Sequence, residues 1–380
     1  MRLAIQWIGA VLLLVGFSQA HATKARLQAL GQGSYGSLFI KDQRNIFLNP
    51  ATISSFGNSL NLEAGPTAYS NTTTPKSEGG IIYQGEGLAF GAQLGRLNTA
   101  AETMTNVTSP TNYFDPQNSL ELMVGGQAGI DWGGALYYAS SVNDQSSSGN
   151  LAPNTKNEAK VVTARGGVAT DRFQAYAIMD VIHDSKVRDN TPVVDRKYDG
   201  NLSVELGGSL NLNDMASVGG KVSQSGYNFD DGAGTQGEYK DLSFLGEYFY
   251  RFKNEENFFV FGSAGLLWDK AKTDYTGATT DVDAETLALP AKLGFESTLT
   301  GWLKFRGSVT QNMILDRSKT KNATQDVKTE SIEDTTVTLG TSLYFENFTL
   351  DATLEGSGSA GSGKVNGNTL MANAGVLYSF

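Results

Sequence analysis

Side chains that could act as acids, bases or nucleophiles are common in the chain, but the combinations that enzymes use are not. Histidine occurs twice, as His21 and His183. A Ser-His-Asp arrangement would need His183 beside a serine that the sequence does not identify. Asp230-Asp231-Gly232 offers two carboxylates, far fewer than the roughly six to eight oxygen ligands of a calcium site, and Asp-Gly is a common turn sequence. The sequence therefore predicts no catalytic residue, metal or cofactor, with His183 solvated at the rim of a long loop.

A different kind of chemistry is indicated by charged side chains in the middle of β-like segments. Their signs are mixed, which favours ion pairs lining a partly filled interior over the segregated charges of a general diffusion porin. For any single residue, the alternative is that it only solvates an inner wall. The charges that we assign to this wall are Arg165, Glu205, Lys221, Glu247, Arg251, Lys292, Glu296, Lys304 and Arg306.

Segments with a two-residue period hold these charges. In the range 201–212, even positions are mostly Leu or Val, and odd positions are polar or glycine. The same alternation recurs in 242–252, 303–312 and 348–355. Such a pattern predicts β-strands with one apolar and one polar face.

The fold class follows from the polar face of these strands. A two-sheet sandwich could not bury full charges at mid-strand again and again. A barrel with lipid outside and water inside satisfies both faces. We therefore predict an all-β fold, a transmembrane antiparallel β-barrel over residues 58–380.

The connections between strands alternate in length, with short turns at one end and polar loops at the other, which predicts sixteen strands and both termini in the periplasm. Losing the hairpin at 79–96 would leave fourteen. Short connections are predicted near 84–87, 126–128, 170–172, 212–214, 252–256, 297–300 and 345–347. Long ones are predicted near 70–78, 97–117, 141–157, 184–196, 229–237, 270–283, 316–331 and 356–367.

Residues 1–22 have the pattern of a cleaved signal peptide. Arg2 gives a positive start, the stretch from Trp7 to Phe17 is apolar, and Ala20-His21-Ala22 has the small-x-small form of a cleavage site. A membrane anchor is the alternative, but the apolar stretch is shorter than the roughly 20 residues that span a bilayer. The segment predicts export from the cytoplasm.

Composition agrees with a bacterial outer-membrane location. The chain has 44 glycines, 8 prolines, no cysteine and a formal net charge of −10. This acidity argues against nucleic acid as a partner, because nucleic-acid binding needs a basic surface. Outer-membrane lipid is the expected environment, and acidic loops could share divalent cations with lipopolysaccharide.

The C-terminal segment 373–380 ends in alternating aromatic residues. Gly375, Tyr378 and Phe380 fit a polar-x-Gly-x-x-aromatic-x-aromatic pattern. The segment resembles the terminal signal by which the barrel assembly machinery recognises bacterial outer-membrane barrels. That resemblance implies the assembly machinery as a partner.

Residues 23–57, ahead of the first strand, are apolar enough to be ordered but lack barrel alternation. The segment resembles the mature N-terminus of the long-chain fatty acid transporter family (FadL-like). The matching residues are Ala25, Arg26, Leu30, Gly31, Gly33, Asp42 and Asn49-Pro50-Ala51. The resemblance implies a hatch inside the lumen, past which hydrophobic substrates diffuse, with Asn49, Pro50 and Ala51 as plug residues. A periplasmic tail without a gating role is the alternative.

This sequence departs from that family in two respects. Family barrels have fourteen strands, whereas we count sixteen here. Family loops form a hydrophobic groove, whereas these loops are polar, as in 143–157 and 355–368. We therefore expect an outer-membrane pore or passive transporter for hydrophobic or amphipathic small molecules. A structural or surface-interaction barrel with a closed lumen and a general diffusion porin are the alternatives.

Strand register yields a finer expectation about two ion pairs. A turn centred on Asn213 would place Glu205 directly opposite Lys221, and one centred on Thr300 would bring Glu296 to Lys304. Charges would then be paired throughout this lumen, and a lumen with paired charges would favour uncharged or amphipathic solutes over ions.

Overall fold

Antiparallel β-strands make up most of the chain in the computed structural model. The structure describes residues 23–65, 76–107, 113–145, 155–190, 193–255, 257–276, 281–312, 317–321, 326–330, 335–358 and 371–380. The predicted signal peptide at 1–22 lies outside the described residues.

The strand segments, in chain order, are β1 (Ser59–Gly65), β2 (Lys76–Gln84), β3 (Leu88–Leu94), β4 (Asn118–Gln127), β5 (Asp131–Gln145), β6 (Thr155–Ala169), β7 (Phe173–Asn190), β8 (Val193–Gly200), β9 (Ser203–Asn211), β10 (Ala216–Asp230), β11 (Gln236–Glu255), β12 (Phe258–Thr276), β13 (Val282–Ala288), β14 (Pro290–Thr300), β15 (Leu303–Asn312), β16 (Arg317–Lys321), β17 (Asp326–Glu330), β18 (Thr335–Phe345), β19 (Phe348–Gly358) and β20 (Met371–Ser379).

These segments close into one barrel. β1 pairs with β2 on one side and with β20 on the other, so the first and last strands close the sheet on itself. Four strands are interrupted and are each built from two segments: β8 with β9, β13 with β14, β15 with β16, and β17 with β18. Within the described residues this makes sixteen strands, which confirms the predicted number. The hairpin at 79–96 is present as β2 and β3.

The outer surface of the barrel is apolar. Leu206, Phe244, Phe305 and Leu350 are exposed, as alternation predicts for outward positions. Since large apolar side chains cover the outside while charges point inward, the barrel is of the membrane-spanning kind.

Short helices lie before β1 and between β3 and β4. They are α1 (Lys24–Ala29), two 3₁₀ helices that we label η1 (Gln43–Phe47) and η2 (Pro50–Ser55), and α2 (Thr99–Asn106). Polar residues cap three of them: the backbone N–H of Arg44 donates to Asp42, that of Ala51 to Asn49, and that of Ala101 to Asn98. Among the described residues, no helix has the length and apolar character to cross a bilayer.

The register of two hairpins differs from the prediction by one turn position. Glu205 lies opposite Ser223, and Lys221 lies opposite Gly207. The predicted direct pairing of Glu205 with Lys221 is therefore wrong, although both residues face inward and are diagonal neighbours. The side chain of Asn213 accepts hydrogen bonds from Met215 and Ala216, which extends the turn and moves its centre to Asp214.

The second hairpin is shifted in the same sense. Glu296 lies opposite Arg306, and Lys304 lies opposite Thr298. The turn is formed by Gly301 and Trp302, and an irregularity between Thr298 and Thr300 shifts the register. The expected contact of Glu296 with Lys304 is replaced by one with Arg306.

The predicted long connections at 184–196, 270–283 and 316–331 are wrong in that they are mostly strand. β7 continues to Asn190 and β8 begins at Val193, β12 continues to Thr276 and β13 begins at Val282, and β16 and β17 lie within 316–331. Polar residues at this end lie on strands longer than a bilayer requires, so polarity alone does not distinguish a strand from a loop.

We predict that arginine is poorly tolerated at one position of β11 and well tolerated at the adjacent position. Phe244→Arg places a charge in lipid and should lower the unfolding free energy by roughly 2–4 kcal/mol near mid-membrane. Ser243→Arg, the matched control, points into the lumen and should cost far less. Denaturant unfolding in lipid vesicles measures both, and equal losses would show that the assignment of the two faces is wrong.

Candidate functional site in the barrel lumen

Residues 23–57 pack against the inner side of the barrel wall at the end where the short turns lie, and we call this segment the plug. The side chain of Asn49 donates to the Val168 carbonyl at 3.1 Å. The Leu38 carbonyl accepts from Gln174 at 2.9 Å, and the Phe39 carbonyl accepts from Arg251 at 2.9 Å. These contacts reach β6, β7 and β11, so the plug touches strands far apart around the barrel.

Apolar packing holds the plug as well. Phe39 stacks on the inward ring of Phe249, with ring centroids 5.0 Å apart. Phe47 and Ile53 form a buried cluster with Ile82 and Met123 of the wall. Full burial of such a side chain contributes about 1.5–3 kcal/mol. Both clusters join the plug directly to inward positions of the strands.

Glycines on the wall make room for Asn49, Pro50 and Ala51. A Cβ atom on Gly133 would overlap the Pro50 carbonyl, and one on Gly167 would overlap the Asn49 side chain. The wall therefore approaches the backbone of the plug at the Asn-Pro-Ala sequence more closely than any larger residue allows.

A buried chain of alternating charges links the plug to the wall. Arg26 contacts Asp42 at 3.0 Å within the plug and Glu296 of β14 at 2.8 Å. Glu296 also contacts Arg306 of β15 at 3.0 Å, and Arg306 contacts Asp351 of β19 at 3.2 Å. Burial lowers the pKa of the Arg26 guanidinium, but the two carboxylates more than offset this and raise it above its ordinary value. Arg26 is therefore held in its charged form.

A second set of charges lies on the other side of the plug. Arg44 contacts Glu63 of β1 at 3.0 Å and Glu78 of β2 at 2.6 Å. On the wall nearby, Glu121 binds both Arg96, at 2.7 Å, and Arg165. Here too, charges of the plug are matched by charges of the strands.

The predicted wall charges all lie on the inner side of the barrel, with the following partners. Four of them form two ion pairs on the wall: Glu205 binds Lys221 at 2.9 Å, and Glu247 binds Lys292 at 3.3 Å. Arg165 and Arg251 donate to the plug, at the carbonyls of Phe47 and Phe39. Glu296 and Arg306 belong to the charge chain, and the Lys304 ammonium lies 5.3 Å from the centroid of the Tyr344 ring.

Sequence reasoning did not single out several charged residues of this site. Glu63, Glu121 and Asp351 are inward by the same alternation as the residues that were named, so the signal for them was present. Arg44 and Arg96 carry no such signal, because they lie outside the strands.

The other half of the lumen contains α2, which folds inward from the connection between β3 and β4. Asn98 donates to Thr163 of β6 at 2.6 Å. Ala101 and Met104 are fully buried in a cluster that includes the inward Tyr137. The lumen is thus narrowed from both ends.

A cavity of about 270 Å³ lies beside α2. Its wall combines aromatic rings with carboxylates: Tyr198 and Tyr227 are stacked at 4.5 Å, and Asp180, Glu205 and Asp241 line it as well. We call this cavity the luminal chamber. It can accept a small solute with both apolar and polar parts.

His183 was expected to be solvated on a loop, and this is wrong. It is buried on β7 at the wall of the luminal chamber, 3.3 Å from the Tyr198 hydroxyl and 2.7 Å from the Asn201 carbonyl. Asp230 and Asp231 accept hydrogen bonds from backbone N–H groups of their own turn. The described residues contain no group of three or more possible metal ligands.

The C-terminal residues lie on both faces of β20. Phe380 is exposed, and the Tyr378 ring packs against Phe348 at 4.6 Å. Gly375 faces inward, where a Cβ atom would come within 2.5 Å of Thr23. Gly375 is therefore in contact with the plug as well as part of the terminal pattern.

Fold and lumen together define a membrane-spanning antiparallel barrel whose N-terminal segment packs inside it. No family model matches the chain, and no curated protein matches it. Among solved structures, it is similar to a Pseudomonas aeruginosa FadL homologue at 13% identity, covering 96% of this chain and 100% of the other with a TM-score of 0.48. It is also similar to the P. putida toluene transporter TodX (11% identity, 96% and 99% covered, TM-score 0.39) and to the Ralstonia pickettii toluene transporter TbuX (12%, 96% and 99%, 0.38). At these identities the likeness is one of fold alone.

Two adjacent glycines of β5 provide a test of the plug contact. Gly133→Ala adds a methyl group where the Pro50 carbonyl lies and should loosen the plug. Gly134→Ala is the control, because a Cβ atom there meets nothing closer than 3.8 Å. Trypsin cleavage after Arg44 should become faster in Gly133→Ala only, and equal protection in both variants would contradict the close approach.

The buried charge chain should be far more sensitive to neutralisation than a surface pair. Glu296→Gln leaves two buried guanidiniums short of a carboxylate and should cost about 3–5 kcal/mol of stability. Glu255→Gln is the control, since Glu255 and Lys253 are about half exposed, and it should cost about 1 kcal/mol or less. Denaturant unfolding measures both, and similar losses would mean that the chain does not stabilise the plugged barrel.

Proposed function

We propose that the protein is a passive transporter of the bacterial outer membrane for hydrophobic or amphipathic small molecules, with residues 23–57 as its hatch. The short turns then face the periplasm, as in other outer-membrane barrels. Outer-membrane lipid surrounds the barrel, lipopolysaccharide contacts its acidic loops, and the barrel assembly machinery recognises Gly375, Tyr378 and Phe380.

The observation that carries this proposal is the order of surfaces along the lumen. From the long-loop end, a solute meets the apolar residues around α2, then the luminal chamber with its tyrosine rings, and then the plug. Apolar and aromatic surfaces favour solutes that gain by leaving water. A seated plug blocks free diffusion of ions and sugars, so passage requires the plug to move.

Paired charges support the same selectivity. Glu205 with Lys221 and Glu247 with Lys292 nearly cancel each other's fields along the wall. Beside these two pairs, an ion would lose hydration without meeting an unpaired charge. A neutral or amphipathic solute does not have this cost.

A closed structural barrel is the second candidate. It is favoured by the buried ion pairs between the plug and the wall, because Arg26 and Arg44 each bind two carboxylates. The two candidates differ in whether the plug moves when a solute binds.

We predict very low resting ion conductance and solute-selective uptake. In planar bilayers, the unchanged protein and the Gly134→Ala control should conduct poorly, whereas Gly133→Ala should show larger or more frequent openings. Cells that produce the protein should take up radiolabelled toluene or dodecanoate faster than cells without it, with no change for a disaccharide. Uptake of all three solutes would indicate a diffusion porin. Uptake of none, with a silent Gly133→Ala variant, would indicate a structural barrel.

A further inference from the structure

Counted by direct contacts, the buried charge chain has one more carboxylate than guanidinium. It contains three carboxylates, those of Asp42, Glu296 and Asp351, and two guanidiniums, those of Arg26 and Arg306. The side chains of Asp42, Arg306 and Asp351 are fully buried. A buried charge without a partner is strongly unfavourable, so a further positive group is expected at one end of the chain.

Neighbouring cations contact other groups. Lys24 and Arg44 lie among Glu63 and Glu78, which match them in number. Lys304 lies over the Tyr344 ring and interacts with Glu296 and Asp351 only at longer range, without an ion pair to either. Arg306 contacts Oδ1 of Asp351 and leaves Oδ2 to another donor.

At the end of the charge chain, Asp351 meets the first described residue of the plug. The backbone nitrogen of Thr23 donates to Asp351 Oδ2 at 3.2 Å, and its Oγ1 donates to the same oxygen at 2.9 Å. Thr23 is completely buried, and Gly375 leaves the space that it occupies. The nitrogen of Thr23 thus sits where the missing positive charge is needed.

We propose that Asp351 and Gly375 form a binding site for a free α-ammonium group, and that its occupant is the amino terminus of Thr23. The predicted signal sequence ends at Ala22, so hydrolysis of the Ala22–Thr23 peptide bond creates this group. Water is consumed, Ala22 keeps a carboxylate, and Thr23 gains an amine that is mostly protonated at neutral pH. Before cleavage the same nitrogen is an uncharged amide.

Removal of the signal peptide is thereby coupled to seating of the plug. Cleavage completes an alternating series of six buried charges, from Asp42 to the ammonium of Thr23. Capture of an amino terminus by a preformed polar site is a known mode of recognition. The proposal rests on the position of the plug and on the predicted signal sequence, and it does not depend on which solute the barrel passes.

The first experiment uses the full-length protein exported by cells and purified from membranes. Mass spectrometry should show a mature chain that begins at Thr23. An amine-reactive acetylating reagent at pH 7 should label the α-amine at least about tenfold more slowly in the folded than in the unfolded protein, because an ion-paired buried amine is protected. The exposed Lys253 should be labelled at similar rates in both states. A different mature terminus, or fast labelling of Thr23 in the folded protein, would overturn the proposal.

A second experiment moves the charge without altering any side chain of the site. Insertion of Gly-Ser between Ala22 and Thr23 makes the mature chain start two residues early, so an amide replaces the ammonium at Asp351. Trypsin cleavage after Arg44 should accelerate at least about tenfold, as expected when a buried charge loses its partner. The same insertion between Gly232 and Ala233, on an exposed turn, is the control and should have no effect on this cleavage. Equal protection of the plug in both insertions would overturn the proposal.

The Asp351→Asn variant removes the negative charge of the site instead of the positive one. This variant should also expose Arg44 to trypsin and make the α-amine of Thr23 reactive. If the variant does not fold, the Gly-Ser insertion alone decides between the outcomes. Retained barrel structure is checked by resistance to SDS at room temperature. Slow labelling of Thr23 in a folded Asp351→Asn protein would show that Asp351 does not hold the ammonium.

Discussion

Pairing of buried charges between the plug and the barrel wall is the interaction on which the lumen depends. Arg26 and Arg44 project from a segment that has no strand of its own, and each is bound by carboxylates of the barrel. A single unpaired guanidinium in this position would cost more than several surface ion pairs contribute. The plug is therefore held firmly when all partners are present and weakly when one is lost.

Period-2 alternation explains why the barrel could be predicted from sequence. Each strand has to satisfy lipid on one face and the lumen on the other, so the pattern recurs in most segments, and the connection lengths indicate the number of strands. Register was less predictable, because four residues separate β9 from β10 and the turn is centred on Asp214 rather than on Asn213, which shifts the partner of Glu205 by two residues. His183 was misplaced for a related reason, since β7 extends into a polar region that resembles a loop.

Partners of the plug could not be derived from sequence, because they are distant along the chain and no local pattern relates them. Asp351 and Thr23 are 328 residues apart, and Arg26 and Glu296 are 270 apart. The close approach of the wall to the plug at Gly133 and Gly167 could not be predicted either, since glycine occurs in most strands of this protein. Alternation did show that Glu63, Glu121 and Asp351 face inward, but their importance depends on the arginines that the structure brings to them.

Hydrogen exchange in lipid nanodiscs tests most directly whether the plug is a seated part of the barrel. Backbone amides in 24–56 form hydrogen bonds with one another and with buried side chains, as at Lys24 with Glu63 and at Ser37 with Asn45. Our account predicts that these amides exchange nearly as slowly as those of β1 and β2, and that binding of a transported solute accelerates them. Exchange of the whole segment within seconds in the absence of solute would contradict it, because the plug would then be an unseated tail.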